Sequence, residues 1–93
     1  MVKAEEKVKL INKVGLHARP ASLFVQTARK FKCKITVRKV NGDRTVDAKS
    51  ILGVLSLGAE KNDDIIIMAE GDDALDAVKT LVELVSSGFG GEE

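Results

Sequence analysis

A chain of 93 residues with 44% hydrophobic content can bury one modest core without staples. A formal net charge of +1 and three Phe as the only aromatics leave neither a dedicated nucleic-acid face nor stacking platforms for single strands. One Cys and one His exclude an internal disulfide and a metal cluster built on them, and no apolar run is long enough to span a bilayer. Residues 1–93 read as one domain, with no linker, low-complexity segment or repeat. Met1-Val2-Lys3-Ala4-Glu5-Glu6 is too charged for a signal peptide, so the expected setting is the cytoplasm.

Lys7-Val8-Lys9-Leu10-Ile11 begins by alternating and predicts a strand with Val8 and Leu10 inward, the first five residues fraying ahead of it. Lys13-Val14-Gly15-Leu16 is the turn that follows. Gly15 either permits a backbone angle that other residues resist and lets a partner approach closely, or is an ordinary turn glycine. Pro20 favours the first turn of a helix, where its missing N–H leaves no bond unmade. A helix is therefore predicted over Ala18 to Phe31, with Ala21, Phe24, Val25, Ala28 and Phe31 as its buried stripe.

Cys33 to Val40 alternates, with Cys33, Ile35 and Val37 inward, and Cys33 reads as a small core residue. Asn41-Gly42 is a hairpin signal, and Arg44 to Ala48 returns antiparallel with Val46 and Ala48 on the apolar side. Ser50 to Leu57 predicts a short helix with Ser50 as N-cap. Its apolar residues Ile51, Leu52, Val54, Leu55 and Leu57 cover more than one face. Either part of that surface stays exposed as a protein-docking patch, since a two-turn helix on a small sheet offers little cover, or all five are core.

Ile65 to Ala69 is an unbroken apolar run. It fits a strand covered on both faces, or one under helices with a partly exposed back. Gly71-Asp72-Asp73 starts the last helix with an acid cap, and Ala74, Leu75, Val78, Leu81, Val82 and Val85 recur at helical spacing. Ser86-Ser87-Gly88 stops it, and Gly90 to Glu93 is expected to be loose. The order strand, helix, strand, strand, helix, strand, helix contains the split β-α-β pattern. It predicts an α+β, two-layer, open-faced sandwich: a four-stranded antiparallel sheet with three helices on one face.

The chemistry concentrates at His17, the one His, three residues before the one Pro. A helix start carries unpaired N–H donors and the positive pole of the macrodipole, and so attracts anions. Arg19 adds a fixed cation with planar donors suited to phosphate oxygens. Neutral imidazole is a nucleophile near physiological pH. The three features propose a histidine that meets a phosphoryl group. A His serving only as a cap or surface residue is the plainer alternative.

Asn12-Lys13-Val14-Gly15-Leu16-His17-Ala18-Arg19-Pro20-Ala21 resembles the active-site signature of the HPr family, the histidine-containing phosphocarriers of the phosphotransferase system. Ala48-Lys49-Ser50-Ile51-Leu52-Gly53-Val54-Leu55-Ser56-Leu57-Gly58-Ala59 resembles that family's second signature, and the likeness spans nearly the whole chain. The resemblance implies the same four antiparallel strands with three helices on one side. It implies that His17 is the phosphorylated residue and Arg19 its phosphate-stabilising neighbour. It also implies a partner-binding face of Ala21, Ser22, Ile51, Leu52 and Leu55. Leu stands at 52 and 55 where many members carry Met.

The partners implied are enzyme I, charged by phosphoenolpyruvate, as donor and sugar-specific enzyme IIA components as acceptors. The protein itself would be a monomer that carries phosphate rather than an enzyme, without cofactor or metal. Ser50 matches a serine that, in many Gram-positive relatives, an HPr kinase/phosphorylase modifies to control uptake and engage a transcriptional regulator. A plain N-cap is the alternative at that position. Two other functions stand beside the carrier. A nitrogen-related regulatory branch of the family also keeps the His, and Ile11-Asn12-Lys13 and Ser87-Gly88-Phe89 look like it. A small phosphatase using His17 is the third, although no general acid lies near that residue in sequence and there is no second His.

Overall fold

The computed structural model describes residues 2–91. Its elements, in chain order, are β1 (Lys3–Lys9), α1 (Ala18–Ala28), β2 (Lys34–Lys39), β3 (Thr45–Asp47), α2 (Ile51–Ser56), β4 (Asp64–Glu70) and α3 (Ala74–Ser86), followed by a short 3-10 turn at Phe89–Gly91. The four strands form one antiparallel sheet in the order β1-β4-β2-β3. The helices cover one face of it, and the α+β open-faced sandwich expected from the element order is what the chain forms.

β4 is an interior strand, paired with β1 on one side and β2 on the other, and its residues serve two layers. Ile65, Ile67 and Ala69 are buried toward the helices, while Ile66 and Met68 lie half-exposed on the other face. The apolar run is therefore the strand with a partly exposed back. β1 runs along its outer edge from Lys3↔Glu70 to Lys9↔Asp64. It starts earlier and ends earlier than the alternation suggests. Lys3, Ala4 and Glu5 do not fray but pair with β4, and Leu10 is fully buried just beyond the strand. Charge on Lys3, Glu5, Glu6, Lys7 and Lys9 keeps this long edge from pairing with other chains.

α1 stops at Ala28, short of Phe31, which lies half-buried in the turn that follows. Its buried face is Pro20, Ala21, Phe24, Val25 and Ala28. β2 and β3 pair antiparallel, with Cys33, Ile35, Val37 and Ala48 buried as the alternation requires. The connection at 40–44 is longer than the tight turn Asn41-Gly42 suggests, and neither of those residues has a positive φ. Burial pushes the Cys33 thiol up to about 11, so it packs as a small hydrophobe.

α3 buries Ala74, Ala77, Val78, Leu81 and Val85, whereas Leu75 points outward and is 65% exposed. Phe89 is 2% exposed and closes the core beyond α3. Gly90 and Gly91, expected to be loose, belong to the 3-10 turn, and Glu92 and Glu93 lie outside the described residues. Asp73 sits at the N-cap position of α3, yet its side chain makes no cap hydrogen bond. Instead its carboxylate accepts from the Lys32 and Cys33 amides at 2.9 and 3.0 Å, which straps the start of β2 to the start of α3.

The Lys32 amide and the Cys33 thiol hold the Asp73 carboxyl below its ordinary range. The Glu60 amide, at 2.8 Å, does the same for Asp63, with Lys39 adding to it. A depressed carboxyl contributes stability that is fully present above its unfolded pKa and is lost as pH falls through the folded value. Tm measured against pH should therefore hold down to about pH 4 and fall below it. Asp63→Asn and Asp73→Asn should each start from a lower Tm and show a shallower acid loss. An acid loss as steep in both variants as in the parent would contradict the assignment.

Candidate functional site

The site is built where the loop after β1 meets the loop after α2. The chain must turn sharply at Gly15, whose φ is +66°. A Cβ there would lie 2.5 Å from the Ala59 carbonyl oxygen and 2.7 Å from the Glu60 Cα. Gly15 thus takes the backbone angle expected of it, but what approaches it closely is this chain's own backbone at Ala59 and Glu60 rather than a partner. The Leu16 amide donates to the Ala59 carbonyl at 3.0 Å. The Asn12 side-chain amide donates to the Gly15 carbonyl at 2.8 Å, and Leu16 itself is fully buried. Leu16 anchors the loop, and the next residue is lifted to the surface.

That residue is His17, the N-cap of α1, in extended conformation with φ −132° and ψ 167°. Its ring makes no cap hydrogen bond, so the imidazole is not spent on the helix's own amides. The side chain keeps 34% of its accessible surface. Pro20 lies in the first turn, as its missing N–H predicts, and the Ala21 amide donates to the His17 carbonyl at 3.3 Å. Ala18 takes a positive φ of 51°, a left-handed value that costs a non-glycine residue about 1–2 kcal/mol. The helix therefore starts with local strain directly after the histidine. Arg19 is exposed in the same turn.

The sequence gives no sign of the ring's neighbour. His17 Nε2 lies 2.9 Å from Glu60 Oε2, across 43 residues of chain. A carboxylate that the residues near His17 lack is thus brought to the ring from the other loop. No spacing rule reaches it, and Gly15, read as a place of close approach by a partner, is where the other loop of this chain comes in. Asp63 fixes the backbone that carries Glu60: its carboxylate accepts from the Glu60 amide at 2.8 Å, and its own amide donates to the Glu60 carbonyl at 3.0 Å.

α2 lies beside α1 in the helix layer. Ser50 caps it as expected, its hydroxyl accepting from the Gly53 amide at 3.1 Å. Val54 and Leu57 turn into the core, while Leu52 is 77% exposed and Ile51 and Leu55 are exposed beside it. Of the two readings of this helix, divided burial is the one present, and the five are not all core. Ser22, half-buried on α1, accepts from Gln26 at 2.9 Å. Ala21 is the correction: at 0% exposure it belongs wholly to the core, because the stripe that packs α1 onto the sheet includes it. It cannot contact a partner. Arg29 Nε donates to the Lys49 carbonyl at 2.9 Å and ties the end of α1 to the entry of α2.

Two concavities lie away from His17, one of about 530 Å³ on the open face of the sheet near Thr36, Arg38 and Met68, another of about 700 Å³ between β1 and α3. Among the described residues no cluster could hold a metal ion.

A family model described as the PTS HPr component phosphorylation site matches residues 4–87. The chain belongs to the HPr family. The phosphocarrier protein HPr of Neisseria meningitidis serogroup A is 38% identical over 86 residues, 92% of this chain and 94% of that protein. The crystal structure of an HPr from Thermoanaerobacter tengcongensis superposes with a TM-score of 0.90 at 50% identity, over 97% of this chain and 99% of that one. An HPr from Bacillus anthracis gives 0.84 at 40% identity, over 91% and 99%. Crh of Bacillus subtilis, a domain-swapped dimer, gives 0.71 at 36% identity, over 89% and 93%. HPr proteins carry phosphate rather than turn over a substrate, which accords with a histidine on an open surface.

Gly15→Ala should cost about 3 kcal/mol, because it combines left-handed strain with a backbone clash that no side chain can relieve. Chemical denaturation measures it. A loss under about 1 kcal/mol would mean that the two loops are not held at this distance.

Proposed function

We propose that this chain accepts a phosphoryl group on His17 from phosphorylated enzyme I and passes it to sugar-specific enzyme IIA components. One observation carries the reading: the imidazole stands at the N-cap of α1 without capping it. The ring is then available while the helix start supplies partial positive charge to an incoming anion. Arg19, exposed in the first turn, is the residue proposed to pair with the phosphoryl oxygens. Phosphoryl transfer is mainly a matter of positioning and charge stabilisation, so a shallow site serves if the partner brings the other half.

The docking face proposed for those partners is Ile51, Leu52 and Leu55 on α2 with Ser22 on α1. Its apolar centre and charged surroundings are the composition of a protein interface core and rim. Ser50 is proposed as a second, regulatory phosphate acceptor. A phosphate there keeps oxygens to accept from the Gly53 amide, yet sets a dianion beside the apolar docking residues. The chain is proposed to act as one cytoplasmic domain spanning residues 1–93.

With enzyme I and phosphoenolpyruvate, the parent should acquire about one acid-labile phosphate, and His17→Ala should stay at background. Label should then move to an enzyme IIA and fall several-fold in rate for Leu52→Lys. Equal labelling of His17→Ala would overturn the assignment of the acceptor. Stable label that no sugar-specific acceptor removes would overturn the transport role.

A further inference from the structure

We propose that Glu60 is a positioning residue that fixes the tautomer of His17. This deepens the phosphoryl-acceptor reading and takes its significance from it, but it concerns the unmodified ring. A neutral imidazole has one N–H and one lone pair, and the hydrogen bond made by one nitrogen decides the role of the other. A carboxylate can only accept. Glu60 Oε2, at 2.9 Å, therefore selects the tautomer with the proton on Nε2 and leaves the lone pair on Nδ1.

Glu60 is placed for this by backbone, not by chance contact. The Ala59 carbonyl accepts from Leu16, the residue before the histidine. The Asn62 amide donates to the Leu10 carbonyl at 2.7 Å, and the Leu10 amide donates to the Asp63 carbonyl at 2.9 Å. The turn bearing Glu60 is thus bolted to the loop bearing His17 at both ends. The side chain is 66% exposed, so its pull is that of a solvated pair, a bias of a few-fold rather than an absolute lock.

The selection matters for both halves of a transfer. When Nδ1 attacks phosphorus, the new N–P bond forms as the donor's N–P bond breaks and its electron pair leaves with the donor nitrogen. Nε2 keeps its proton, so the phosphorylated ring is a cation facing an anion. On onward transfer the N–P pair returns to Nδ1, and the ring departs as a neutral imidazole whose Nε2–H Glu60 still accepts. No proton has to move between the two events. The carboxylate lies at the ring edge away from Nδ1, where its charge opposes the incoming phosphoryl group least.

Ring nitrogen shifts and couplings of the neutral His17 ring in ¹⁵N-labelled protein test the proposal directly. The parent should be predominantly the Nε2–H tautomer. In Glu60→Gln, whose amide can donate as well as accept, and in Glu60→Ala, the ratio of Nε2–H to Nδ1–H should fall about two- to fivefold. The rest of the amide spectrum should be unchanged. An unaltered tautomer ratio in both variants, or a parent holding its proton on Nδ1, would overturn it. The measurement needs no donor protein, so a failure of the carrier reading would leave its outcome separately visible.

Discussion

Two stretches of backbone, 43 residues apart, meet at Gly15-Leu16 and Ala59-Glu60, and the geometry of the site follows from that contact. The Leu16 amide finds its acceptor in Ala59, and Gly15 makes room for the approach. Leu16 is then buried and His17 must face outward, because the chain enters α1 directly afterwards. The same contact delivers Glu60 to the imidazole. A loop held less tightly would leave the ring on a mobile surface, with neither orientation nor partner fixed.

The rest of the fold serves as backing for that junction. β4 sits between β1 and β2 and sends Ile65, Ile67 and Ala69 into the core, with α3 packed against it. α2 is too short to be held by its own turns, and Val54 and Leu57 pin it. Among the described residues Leu52 is left largely uncovered, and Ile51 and Leu55 in part. An α-helix two turns long thus leaves an apolar surface exposed, the face proposed above for partner docking.

Most of this architecture is legible in the residues, because period-two and period-3.6 patterns report burial directly. Cys33, Ile35, Val37, Val78 and Leu81 lie where their spacing puts them. Leu75 misleads because hydrophobic identity at the edge of a stripe does not specify which side of the helix edge it falls on, and Ala77 takes the core position. Ala21 was expected both in the core stripe and on the partner face; packing allows only the first. Asp73 looks like a cap and is a strap to β2, since sequence shows a carboxylate at a helix start but not the amides brought to it by tertiary folding. His17 at a helix start could be anticipated from Pro20. Glu60 could not, because nothing local links it to the histidine.

The junction can be read one amide at a time. Native-state hydrogen exchange of the Leu16 amide tests it most directly, for that proton is bonded to Ala59 across the two loops and to nothing within its own. If the loops are held as described, Leu16 should exchange only through openings approaching the global unfolding free energy, with protection comparable to that of the β4 amides. Exchange of Leu16 at the rate of an unstructured loop, with β4 still protected, would contradict the account.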